Sequence, residues 1–247
     1  MDTPITPFII FGRSHFGAIG AVVLVIALAL LILHKVLSGR DDERFRHGLA
    51  LVILFNAVGW RFWTILQPDF TLTEDLPLHI CGITPFLMAA YLWKPGQRLF
   101  NVLYYWLLAG ASLALLLPDI EAAYPSGEFI GFFITHALPL FALLYVLLIR
   151  GDRPSPRSYL TAFIALNLYV LFVAGPASLL TDGNYVYLRG APDINFGPIT
   201  LLPPAPWHLP LLDVFAYLLF RGMAVLFPQL TPTAKDAGLA AHNRSPH

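Results

Sequence analysis

Five side chains with chemical capability stand out in this sequence: Arg61, His79, Cys81, His136 and Asp213. A cysteine attacks an acyl group only as thiolate, and that needs a neighbouring base or positive charge, because burial alone opposes ionisation. His136 is a base of the right type, Asp213 could orient its imidazole in the manner of a triad, and Arg61 could hold a phosphate or a developing oxyanion. Cys81 is the single cysteine of the chain, so it has no partner for an internal disulfide. Two histidines and one cysteine at this spacing match no standard metal-ligand pattern. There is no Gly-rich phosphate loop, no Gly-x-Ser-x-Gly elbow and no His-Glu-x-x-His. Neither a metal nor a cofactor is expected.

The elements that must position these residues are membrane spans. Of 247 residues, 57% are apolar or aromatic and 12% charged, against roughly 25% charged in an average soluble domain. The formal net charge is zero, which leaves no basic face for nucleic acid. A spanning helix needs about 20 apolar residues. Seven stretches qualify: 16–37, 47–66, 76–93, 99–118, 128–149, 158–180 and 207–228. The expected fold is therefore all-α, a single transmembrane domain over 1–247 built as a seven-helix bundle. The first stretch is longer than a signal peptide's apolar core and is followed by Lys35, Arg40, Arg44 and Arg46, so it is read as a retained helix.

Basic residues alternate between the loops. Lys35, Arg40, Arg44 and Arg46, then Lys94 and Arg98, then Arg150, Arg153 and Arg157, follow the first, third and fifth spans, and the tail adds Lys235 and Arg244. The other side has Arg13 and Arg189. Basic flanks stay cytoplasmic, so the N-terminus is expected outside and the C-terminus, with the tail 229–247, inside. The long Pro- and Gly-rich connection 181–206 is then external, a candidate lid or binding element.

With that orientation Arg61, His79, Cys81, His136 and Asp213 share the outer third of the bilayer, at about 5–12 Å depth. His79 and Cys81 are two residues apart, about 200° on a regular helix, so only one of them should face the bundle. Cys81 shares its face with Thr84, Pro85 and Met88 and is expected inward, with His79 near the rim. Pro85 has no N–H for the carbonyl of Cys81, nor Pro139 for that of Thr135. Each of these residues has a plainer role open to it. Cys81 could be packing, Asp213 could pair with Arg61, Arg221 could snorkel, and Asn56 and Asn167 could join helices. Asp69, Glu74, Asp75 and Asp119 belong to the boundary with water.

Leu76-Pro77-Leu78-His79-Ile80-Cys81, Tyr104-Tyr105 with Gly110 and Leu117-Pro118-Asp119-Ile120, then His136, Gly183-Asn184-Tyr185-Val186-Tyr187-Leu188 and Pro206-Trp207 with Asp213 follow one another in order. Together they resemble the YwaF-like family of bacterial seven-helix integral membrane proteins. That family resembles, remotely, membrane lipid acyltransferases that use a Cys and a His. The resemblance implies Cys81 as nucleophile and His136 as base. Relatives can carry Gln where this chain has His79, and an uncharged residue around Arg61, so these two stand with Asn184 as binding candidates. The implied function is lipid acyl transfer or hydrolysis, with membrane lipids as partners, in the bacterial inner membrane. The alternative is a non-enzymatic bundle that binds or carries a small polar or lipid ligand.

Overall fold

A computed structural model describes residues 6–37, 42–68, 70–73, 75–191 and 197–226. Asp69, Glu74 and the tail 229–247, assigned above to the boundary and to the inside, lie outside the described residues. Seven helices are formed among those that are described: α1 (Arg13–Leu37), α2 (Glu43–Ile65), α3 (Ile80–Trp93), α4 (Gln97–Leu116), α5 (Gly127–Leu148), α6 (Ser158–Thr181) and α7 (His208–Leu226). Six are long and apolar enough to cross a membrane. Their outer faces carry leucine, valine and phenylalanine in the open, Leu24, Phe55, Phe62 and Leu179 among them. A continuous apolar surface of this kind suits lipid and not water. The chain is a multi-pass helical membrane bundle.

Helix α3 departs from the expected 76–93. It starts at Ile80 and has 14 residues, about 21 Å of rise against a hydrocarbon core of about 30 Å. The residue before a proline is pushed away from helical geometry, which disfavours a helical Leu76 ahead of Pro77. The Leu78 amide instead turns back to the Leu76 carbonyl at 2.7 Å, and the Leu78 carbonyl accepts the Tyr169 hydroxyl of α6 at 2.9 Å. His79 is extended (φ −69°, ψ 151°) and caps α3 from outside the helix.

Helix α4 is the hub, packed against α3, α5, α6 and α7. Its Leu103, Tyr104, Tyr105 and Leu107 are fully buried against Met88 and Leu92 of α3 and Leu143 and Tyr145 of α5. Helix α1 lies at the edge and packs on α5. Its one buried residue, His15, fastens it: Nδ1 accepts the Phe11 amide and Nε2 donates to the Leu115 carbonyl, each at 2.9 Å. Pro176 has no N–H to continue the α6 ladder, and a π turn over Val170–Ala174 closes the gap, the Gly175 amide reaching the Val170 carbonyl.

At the end of the bundle away from His79, charge is gathered inward. Asp42 accepts Arg150 at 2.5 Å, Arg46 at 3.3 Å and the Tyr145 hydroxyl. Arg150 also reaches Asp152 at 3.2 Å, which holds the Tyr91 hydroxyl at 2.7 Å. Burial resists the charge on Asp42, yet the hydrogen bonds from Tyr145 and Arg150 outweigh it and hold the carboxyl below its ordinary value. These groups tie the start of α2 to the ends of α3 and α5.

Candidate functional site

A cavity of about 740 Å³ opens between α2, α3 and α5, roofed by the 117–122 connection and the loop after α6. Arg61, His79, Cys81 and His136 all line it. His79 and Cys81 were expected on opposite faces. Both reach the cavity because His79 stands outside α3, where the helical angle between them does not apply.

Cys81 is the second residue of α3, half-buried, with its sulfur beside the amides of Cys81 and Gly82. A helix start carries partial positive charge, and Arg61 is close enough to Cys81 for their charges to interact. Both features favour an anionic sulfur against the burial that opposes it. The Cys81 carbonyl, left without a donor by Pro85, takes the Thr84 hydroxyl at 3.4 Å.

His136 is buried on α5, its Nδ1 2.8 Å from the Phe132 carbonyl and its ring 4.2 Å from that of Phe132. A carbonyl can only accept, so Nδ1 carries the proton and Nε2 is left with its lone pair, the form a base requires. Beside it, the Thr135 hydroxyl is buried without a partner among the described residues, and Thr135 lines the cavity.

Arg61 donates to the Asp75 carbonyl at 3.1 Å, while the Asp75 carboxylate accepts the Thr71 amide at 2.7 Å. Trp60 stacks on Trp63 with ring centres 4.7 Å apart and passes over Gly131 of α5. A Cβ at 131 would fall 1.8 Å from the Trp60 ring, so the glycine is what lets this wall close. Glu128, at the mouth, spends both carboxylate oxygens on the amides of Glu121 and Ala122, at 3.2 and 3.1 Å.

Two sequence candidates lie elsewhere. Asp213 accepts Asn167 Nδ2 at 3.1 Å, joining α6 to α7, and is not among the cavity residues. The expected Arg61–Asp213 pair is therefore replaced by Arg61 with Asp75 and Asp213 with Asn167. The reason is helix order: α2 packs on α3 and α5, and α7 on α4 and α6. Asn184 staples its own loop, Oδ1 accepting the Arg189 and Gly190 amides at 2.8 and 3.0 Å, Nδ2 donating to the Gly190 carbonyl at 3.1 Å. Arg221 meets Tyr159, its guanidinium 3.1 Å from the hydroxyl.

Sequence reasoning missed Tyr187, which lines the cavity from the loop after α6. The Tyr-Val-Tyr run in an otherwise Pro- and Gly-rich connection was the available signal. Among the described residues, no three His, Cys, Asp or Glu side chains gather in a metal-binding group.

The family model for TMEM164 matches residues 10–224, which takes in α1 to α6, α7 but for its last two residues, and every cavity residue. The chain belongs to the TMEM164 family. An uncharacterized protein of Treponema pallidum (strain Nichols) is 27% identical over 164 residues, 65% of this chain and 67% of its own length. No solved structure matches. The two matches carry a membrane family. They name neither the YwaF-like proteins nor an acyltransferase.

Proposed function

We propose that this protein is a lipid acyltransferase or hydrolase that works through Cys81 and His136. The observation that carries the reading is that a thiol at a helix start and an imidazole with a bare Nε2, contributed by different helices, line one polar cavity together with Arg61. The Cys81 proton passes to His136 Nε2 as sulfur attacks the carbonyl carbon of a phospholipid ester. The C–S bond forms, the ester C–O bond breaks, and the leaving alkoxide takes the proton from His136. The resulting thioester is transferred to an alcohol or to water by the reverse sequence. Arg61 binds the lipid phosphate. Asp213 has no part in this, since it is engaged by Asn167.

The basic residues flanking α1, α3 and α5 support an external N-terminus, and hence a cavity opening on the outer side of a bacterial inner membrane. The test is transfer or hydrolysis of a labelled acyl chain in reconstituted phospholipid vesicles. Cys81→Ser should abolish it and His136→Ala should remove nearly as much, because the pair acts as a unit. Full activity in Cys81→Ala would refute the reading and favour a binder of polar or lipid ligands.

A further inference from the structure

The chemistry above generates a negative oxygen when the ester carbonyl is attacked; of the four hydroxyls on residues lining the cavity, those of Thr64 and Ser126 are spent on the Trp60 and Ala122 carbonyls, which leaves two. Thr135 is one. It is about nine-tenths buried, lines the cavity and has no partner for Oγ1 among the described residues. A buried hydroxyl in a polar cavity without a partner is a donor waiting for a ligand. Tyr187 is the other. His79 meets its ring edge-on at 5.4 Å, and its backbone is fixed at both ends: the amide bonds the Asn184 carbonyl at 3.1 Å, and the fully buried His208 donates to the Tyr187 carbonyl at 2.7 Å.

The backbone that delivers it is costly. Val186 and Tyr187 are both left-handed, at φ 55° and 60°, and a β-branched residue there is a genuine outlier. Strain of this sort persists where the surroundings over-determine the conformation, commonly at sites of chemistry. The phenol lies within electrostatic reach of Cys81 and Asp119. Burial, reinforced by those two groups, raises its pKa above the ordinary phenol value, so it keeps the proton it would donate.

We propose that the Tyr187 and Thr135 hydroxyls form the oxyanion site facing Cys81, a pair of donors for the carbonyl oxygen of a carboxylic ester. The inference rests on the acyl-transfer reading. In the attack step the carbonyl π electrons move onto oxygen as the C–S bond forms. The two hydroxyls donate to that oxygen, and the electrons return to carbon as the alkoxide leaves. Neither hydroxyl loses its proton. Donors poised for the charged oxygen strengthen in the transition state, which is what accelerates the step.

The test compares two reactions of one sulfur in the purified full chain. A p-nitrophenyl acyl ester acylates Cys81 through a tetrahedral oxyanion, followed by nitrophenolate release and the mass of the thioester. Iodoacetamide alkylates it by displacing iodide, with no oxyanion formed. Tyr187→Phe should slow ester acylation about 100-fold and Thr135→Val by about 10-fold or more, with alkylation unchanged within twofold. His136→Ala should slow both reactions, since it removes the base. Unchanged ester acylation in both hydroxyl variants, or equal slowing of both reactions, would overturn the oxyanion site while leaving acyl transfer standing. A wild-type protein that alkylates at Cys81 but is not acylated would overturn the acyl-transfer reading, and the oxyanion site with it.

Discussion

Thr135→Val should make the protein more stable and less able to accept an acyl group. Valine matches threonine in shape, so the exchange swaps a hydroxyl for a methyl without leaving a void. Among the described residues Oγ1 has no partner, and the residue is about nine-tenths buried. An unsatisfied buried polar group costs about 1–3 kcal/mol. Oγ1 is closed to water in this packing, but the cavity of about 740 Å³ beside it lets a small rearrangement admit one, which returns part of that cost. The expected net gain is therefore about 0.5–1 kcal/mol, which in a chain of this size raises Tm by about 1–4 °C. Thermal unfolding in one detergent, wild type against variant, reads the difference, and Thr135→Ser serves as the control that keeps the hydroxyl. A valine variant less stable than wild type by 1 kcal/mol or more would show that the hydroxyl already has a structural partner. The case for a vacant donor would then fail.

Four further outcomes follow from the same geometry. Asp42→Asn should cost about 2 kcal/mol at neutral pH, less than the 3–5 of a fully buried pair. Because the folded carboxyl is held below its ordinary value, its stabilisation is present above the unfolded pKa of about 3.9 and lost as pH falls through the lower folded value, so the variant and wild type should converge below about pH 4 in denaturation curves. Arg61→Leu and Asp213→Leu should be additive in stability, since the two residues have separate partners; recovery in the double variant would restore the pair that the helix order denies. Gly131→Val should push Trp60 off α5 and change the tryptophan emission, and an unshifted spectrum would contradict the close contact. A reporter fused after Arg244 should read cytoplasmic and a tag near Gly190 external, and the opposite result at both sites would invert the proposed orientation.

Length and apolar content alone made six of the seven helices legible, because lipid leaves a spanning segment no other way to satisfy its backbone. The start of α3 was not legible in the same way. Leu76 to His79 are apolar enough to extend the span, and only Pro77 hinted otherwise. What removes them from the helix is tertiary: Tyr169, from a helix some ninety residues on, takes the Leu78 carbonyl. Four of the five candidates grouped by their positions along the spans do share a cavity. Depth says nothing of which helices are neighbours, and that is why Asp213 was grouped with residues it does not meet. Tyr187 was out of reach because its position depends on a left-handed backbone and on His208, neither of which has a periodic signature.

The shortness of α3 and the location of the site have a common cause. Non-helical backbone at bilayer depth is tolerated only where protein buries it or where it lines a polar cavity. Because α3 covers only about 21 Å, residues 75–79 run on without helical bonds, and their polar groups need partners. Arg61 supplies one to the Asp75 carbonyl and Tyr169 another to the Leu78 carbonyl. The same break starts α3 at Ile80 and leaves the Cys81 and Gly82 amides beside the Cys81 sulfur, with the Gly82 amide also bonding the His79 carbonyl at 2.9 Å. A regular helix from residue 76 would have turned His79 away. The cysteine shares its cavity with a guanidinium and two imidazoles, at a helix N-terminus, because the helix that carries it starts late.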